Sequence, residues 1–142
     1  MIDCHISFPN PLTHLLQIEL KFDVGNQSTF DLILPAWRPG RYELATFVEN
    51  IQRFSANDND GKKLKWEKTR PNIWTIQTNQ VNEITVSYQY YANKMDAGNS
   101  VLDDRQIYIN FINCIFYSKE HTNIPVNLTI DIPQEYVVSC SL

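Results

Sequence analysis

The sequence predicts an all-β fold, a mainly antiparallel β-sandwich, and three observations lead there. Among its 142 residues are 15 Ile, 8 Val and 9 Thr against only 5 Ala, a β-branched excess that suits a pleated, half-buried strand better than a helix. Leu16, Ile18, Leu20 and Phe22 alternate with Gln17, Glu19 and Lys21, the period-two pattern of a sheet with one wet face. Clusters of turn-forming residues separate such stretches at short intervals. At 142 residues and 43% apolar content, the chain can bury one core and is too short for two ordinary ones. Residues 1–142 are therefore read as a single domain.

The elements follow in order. Ile2 to Phe8 is a first strand, stopped by Pro9-Asn10-Pro11. His14 to Phe22 is a second, Val24 to Ser28 turns the chain, and Phe30, Leu32 and Leu34 resume the alternation, which predicts a hairpin. Trp37-Arg38-Pro39-Gly40-Arg41-Tyr42 interrupts the pattern, and Pro39-Gly40 suits the centre of a type II turn. Leu44, Phe47, Val48 and Ile51 fall at helical spacing, which leaves room for one short helix near Leu44 to Val48 before Gln52 to Ala56 returns to strand.

Asn57 to Gly61 ends in Asp-Gly and predicts a second hairpin, to a strand through Leu64, Trp66 and Lys68. Ile73 to Thr78 and Ile84 to Tyr90, joined by polar Asn79 to Asn82, predict a third. Asn93 to Arg105 is a polar loop long enough to suggest a function. Val126, Leu128, Ile130 and Ile132 alternate as a late strand, and Tyr136 to Leu142 begins another and stops, as a chain cut from a longer one would. Trp66, Trp74, Tyr88 and Tyr90 sit at strand spacing and are read as core.

Composition narrows function. With 12 Lys plus Arg against 16 Asp plus Glu there is no polycationic face, so nucleic acid is not the expected partner. No apolar run approaches a membrane span, and the chain as given is expected to be soluble. Cys4, Cys114 and Cys140 are odd in number and form no C-x-x-C pair, so inert free thiols in apolar or strand-like surroundings are expected rather than a disulfide framework.

The chemistry-bearing patterns are few. His5, His14 and His121 do not start an H-E-x-x-H spacing, so no zinc or other cofactor is expected within this chain. No G-x-S-x-G elbow is present. Asp58, Asp60, Gly61 and Glu67 fit part of a calcium-loop register, but position one is Ala56 and the flanks read as strands, which favours a plain turn. Asp103 and Asp104 are adjacent, and neighbours on an extended chain point apart. The strongest candidate is the Trp37 to Tyr42 turn, whose two guanidinium groups and two amphipathic rings can take carboxylates and apolar edges. Against that stands a purely local arrangement in which Trp37 caps the core while Arg38 and Arg41 pair with Glu43 or Glu49.

The run Pro35-Ala36-Trp37-Arg38-Pro39-Gly40-Arg41-Tyr42 resembles the P-x-W-x-P-G-x-Y signature in the N-terminal domain of glycyl aminopeptidases, gluzincin metallopeptidases of family sixty-one. Ser7 to Pro11 followed by His14, the segment Phe47 to Ala56, the residues Gly61, Leu64, Trp66, Lys68 and Trp74, and the run Val86 to Ala92 extend the likeness over most of the chain. The resemblance implies a bacterial-type enzyme in which this β-rich domain precedes a helical zinc domain and often a PDZ-like module. Neither the H-E-x-x-H of that zinc domain nor its downstream glutamate is matched here, so no catalytic residue carries over.

The expected role is a non-catalytic domain that packs on the zinc domain as its intramolecular partner and helps shape the peptide cleft. Trp37, Arg38, Arg41, Tyr42, Asp103 and Asp104 are the candidate cleft or interface residues, and zinc belongs to the missing domain. Severed from its partner, such a domain could self-associate through an apolar face. The alternatives are a free-standing module that binds a peptide or carbohydrate with the same turn, and an enzyme in its own right.

Overall fold

A computed structural model describes residues 1–141. Among the described residues ten strands form two facing sheets and a small ribbon. The larger sheet holds β1 (Ile2–Ser7), β2 (Leu15–Asp23), β4 (Ile51–Asp58), β7 (Glu83–Tyr91) and β10 (Val126–Ile130), in the order β10-β1-β2-β7-β4. The smaller holds β3 (Thr29–Ile33), β5 (Trp66–Arg70) and β6 (Ile73–Gln77), in the order β3-β6-β5. The ribbon pairs β8 (Val101–Leu102) with β9 (Ile107–Tyr108). Every pairing is antiparallel except that of β1 with β10.

The alternation seen in the sequence becomes the core. Leu16, Ile18, Leu20 and Phe22 of β2, with Ile84, Val86, Tyr88 and Tyr90 of β7, face inward and are buried. Phe30 and Leu32 of β3 and Trp74 and Ile76 of β6 close on them from the other sheet. Each such side chain contributes about 1.5–3 kcal/mol on burial. An aromatic cluster bridges the layers: Phe116 meets Trp74 at 4.8 Å and Tyr88 at 4.9 Å edge-on, a geometry favoured by ring quadrupoles. Trp66, expected in the core, is 40% exposed and covers Phe54 edge-on from the rim at 5.0 Å.

Of the three expected hairpins the first and third do not form, and the second closes only near its turn, where Lys63 pairs with Asn57 and Leu64 N–H donates to the Ala56 carbonyl at 2.9 Å before the chain crosses to β5. β2 and β3 lie in different sheets, as do β4 and β5, and β6 and β7. Their short links are crossovers between layers. Two of these run side by side: Val24 N–H donates to the Asn82 carbonyl at 2.7 Å and Thr78 N–H to the Ser28 carbonyl at 3.1 Å. The buried Thr78 hydroxyl adds a bond to the Gln27 carbonyl. Alternation determines which face of a strand is buried and leaves its partner open. The hairpin that does link consecutive strands of the smaller sheet is β5–β6, turned at Pro71-Asn72. Asp58 to Gly61 does turn tightly, with Asp58 Oδ1 accepting from the N–H groups of Asp60 and Lys62, so this carboxylate is spent on the turn.

Other expectations need correction. The segment near Leu44 to Val48 forms no two-turn helix. It gives one 3-10 turn, Phe47–Asn50, in which Phe47 is buried and Leu44 is exposed. Among the described residues the one α-helix is α1 (Phe111–Cys114). Residues 136–141 form no strand; a turn closed by Tyr136 N–H on the Pro133 carbonyl brings the Tyr136 ring to 6.4 Å from Phe8. Leu142 lies outside the described residues. Cys4 and Cys114 are buried free thiols, as read from the sequence, whereas Cys140 is exposed. No helix among the described residues is long and apolar enough to cross a membrane.

Candidate functional site

The strand directions gather one set of loops at one end of the sandwich. β1 and β3 run toward it, β2 and β4 start from it, and β7 ends there, because Leu15 pairs with Tyr91 and Ile51 with Tyr90. The loops at this end are 8–14, 34–50 and 92–110. The chain also leaves the sandwich here after β10, since β10 runs parallel to β1.

The Trp37 to Tyr42 turn closes as its sequence suggests. Arg41 N–H donates to the Arg38 carbonyl at 3.3 Å, and Gly40 takes φ +86°, which only glycine adopts without strain. Trp37 does not cap the core. It is about half exposed and its Nε1–H donates to the Arg41 carbonyl at 2.6 Å. Ala45 N–H donates to the Ala36 carbonyl at 2.8 Å and pins the base of the loop. Tyr42, at 105% relative exposure, and Leu44, at 78%, project into solvent.

The two arginines have different surroundings. Arg41 is exposed and lies 3.8 Å from Glu43, the local pairing weighed above. Arg38 is half-buried and reaches across to the 92–110 loop, where its Nη1 is 3.5 Å from the Ala97 carbonyl. Its guanidinium lies against Gly98 so closely that a Cβ there would fall 1.7 Å from Nη2 and 2.1 Å from Cζ. A side chain here and the guanidinium cannot both keep their places, a limit of space alone, since the φ of Gly98 is not left-handed.

The bed beneath Arg38 is firmly held. Asp96 Oδ1 accepts from Gly98 N–H at 2.8 Å, and both Asp96 oxygens lie 2.7 Å from Asn99 Nδ2. The Asn99 amide and then the Gly98 N–H hold the Asp96 carboxyl below the usual carboxylate range. From below, the fully buried Asn113 of α1 donates through Nδ2 to the Gly98 carbonyl at 3.0 Å. Arg38, Arg41, Glu49, Asn50, Lys94 and Asp96 are among the walls of an open pocket of about 490 Å³ at this point. Sequence reasoning singled out the arginines and the loop but missed Gly98 and Asn113. A glycine within a polar loop and an asparagine within an aromatic run were the only signals.

Asp103 and Asp104 sit apart from that pocket, at the tip of the β8–β9 ribbon. Asp103 Oδ1 accepts from the N–H groups of Arg105 at 2.8 Å and Gln106 at 2.9 Å, which hold its carboxyl below the usual range. Asp104 is exposed.

The histidines are dispersed rather than convergent. His5 meets Asp131 at 2.9 Å, His14 Nδ1 the Leu102 carbonyl at 2.6 Å, and His121 Nε2 the Asp23 carbonyl at 2.8 Å. Among the described residues no three His, Cys, Asp or Glu side chains converge to hold a metal ion. This donor set does not fit zinc, and no chemistry is routed through a metal here.

Over 94% of its length the chain overlays an aminopeptidase N family protein from Idiomarina loihiensis, with a TM-score of 0.85 and 27% identity, and it spans only 22% of that protein. A looser overlay joins it to an M1 zinc metallopeptidase from Deinococcus radiodurans, with 13% identity and a TM-score of 0.47 over 91% of this chain and 30% of that one. No curated protein matches. The model of the Peptidase M61 N-terminal domain matches residues 3–142, and the chain belongs to that family.

Proposed function

We propose that this domain is the non-catalytic N-terminal scaffold of an aminopeptidase-type zinc peptidase. Its loop-bearing end packs against the zinc domain and forms one wall of the cleft that receives a peptide. The observation that carries this reading is the presence of exposed Leu12, Trp37, Tyr42, Leu44 and Met95 on the loops of one end, with Leu44 on the wall of the Arg38 pocket and Tyr42 and Met95 next in sequence to residues of that wall. Exposed apolar side chains grouped beside a polar pocket mark a contact surface. Trp37, Tyr42 and Leu44 supply the apolar contact, Arg38 and Arg41 face the cleft, and Asp104 stands on its rim with Asp103 fixing the ribbon tip. The hydrolytic machinery and its zinc lie in the other domain.

Arg38→Gln and Arg41→Gln in the full-length peptidase, assayed for peptide turnover, test this. A several-fold loss of kcat/KM from at least one of them is expected. Unchanged rate and apparent affinity for both would refute the cleft role.

A further inference from the structure

We infer that Arg38 receives a carboxylate from outside this chain, the C-terminal carboxylate of a short peptide lying in the pocket, so that the domain selects peptides by where they end. The inference rests on reading the pocket as a wall of a peptide cleft and adds the chemistry that the wall recognises.

Two ion pairs form among the charges of the pocket, and Arg38 and Glu49 are left outside them. Arg41 lies 3.8 Å from Glu43 and Lys94 lies 3.7 Å from Asp96. Among the described residues Arg38 has no carboxylate within 4.0 Å. A guanidinium carries five donors, and this one makes a single contact at the outer limit of hydrogen bonding, to the Ala97 carbonyl. A half-buried cation has lost part of its hydration without a counter-charge to replace it, which is unfavourable until an anion arrives.

The surface under the group is fixed. Gly98 lets the guanidinium lie against the loop backbone, and Asp96 and Asn113 hold the N–H and the carbonyl of that residue. A planar fork resting on such a surface can take a carboxylate through two parallel bonds. The volume of about 490 Å³ lies within the range of small-ligand sites. Glu49 stands on the same lining with no cation within 4.0 Å, and its like charge disfavours additional acidic groups on the peptide beyond the one that Arg38 takes.

The test uses two probes on the 142-residue chain, N-acetyl-dialanine with a free carboxylate and the same compound as its amide, followed by ¹H–¹⁵N NMR. The acid is expected to shift the Gly98 amide and Arg38 Nε–H signals saturably, and the amide to bind at least about tenfold more weakly, the selectivity of one charge-assisted contact. Arg38→Gln should reduce the acid to the level of the amide, and Arg70→Gln, outside the pocket, should leave the preference intact.

Equal binding of acid and amide to the unaltered chain would overturn the inference even if Arg38→Gln failed to fold, as would a preference that survives Arg38→Gln. An acid that does not bind the chain, combined with an Arg38→Gln that loosens docking in the full-length peptidase, would assign the carboxylate to the partner domain and also overturn it. If the acid binds but the full-length peptidase turns over acid and amide peptides equally, the carboxylate site stands and the cleft reading fails.

Discussion

The Tyr88 hydroxyl, fully buried between the sheets, donates to the Cys114 carbonyl at 2.7 Å. This bond ties central strand β7 to α1, and α1 carries Asn113, which holds the Gly98 carbonyl under Arg38. A core residue thus positions a surface pocket through one helical turn. Tyr88→Phe keeps the ring in its aromatic cluster and leaves that carbonyl without its phenol. The expected cost is about 1–2 kcal/mol, measured as a lower urea midpoint, with the Gly98 amide exchanging faster than in the parent chain. An unchanged midpoint would mean that the bond contributes nothing.

Arg38 and Gly98 make the second prediction. Any side chain at residue 98 collides with the guanidinium, and Arg38 is flexible enough to swing away. Gly98→Ala is therefore expected to cost little stability, about 1 kcal/mol or less, while freeing Arg38. Faster side-chain motion at Arg38 Nε–H by ¹⁵N relaxation, with an almost unchanged melting temperature, is the expected pair of results. Loss of folding would show the contact to be structural instead.

The third concerns alkaline pH. Burial pushes the thiol of Cys4 up to about 12 and that of Cys114 higher still, and it pushes the phenol of Tyr90 up to about 12 and that of Tyr88 well above its ordinary value. Each neutral form is favoured in the folded state. Below the unfolded values, 9.0 for the thiols and 10.0 for the phenols, both states keep their protons and these groups add no pH dependence. Above them the unfolded chain releases protons first, so stability falls as pH rises until the folded groups ionise as well. Urea midpoints measured from pH 8 to 11 should decline, and less steeply in Tyr90→Phe. A flat profile would contradict the burial of these groups.

Much of this was legible before any coordinates, and the limits have physical causes. Alternation in β2 and β7 marked the buried face residue by residue, because each strand has one wet side. Pro39-Gly40 announced its turn because a positive φ selects glycine. Pairing was not legible: the links at Val24 to Ser28 and Asn79 to Asn82 read as hairpin turns, yet such links serve equally to cross between sheets, and here they bond to each other, Val24 N–H to the Asn82 carbonyl and Thr78 N–H to the Ser28 carbonyl. Leu44 to Ile51 showed helical spacing, but Phe47 needed only one turn to reach the core before Ile51 entered β4. At the pocket, the chemistry of Arg38 was visible and its bed was not, since Gly98 and Asn113 sit 60 and 75 positions downstream and nothing local marks them as its support.

The central claim is that the loop-bearing end packs against a zinc domain. Hydrogen–deuterium exchange of the full-length peptidase against this chain alone tests it most directly. Residues 36–50 and 92–100 should exchange more slowly in the full-length protein, while the opposite end, residues 24–28 and 78–82, exchanges equally in both. Equal exchange at 36–50 and 92–100, or protection confined to the opposite end, would contradict the account.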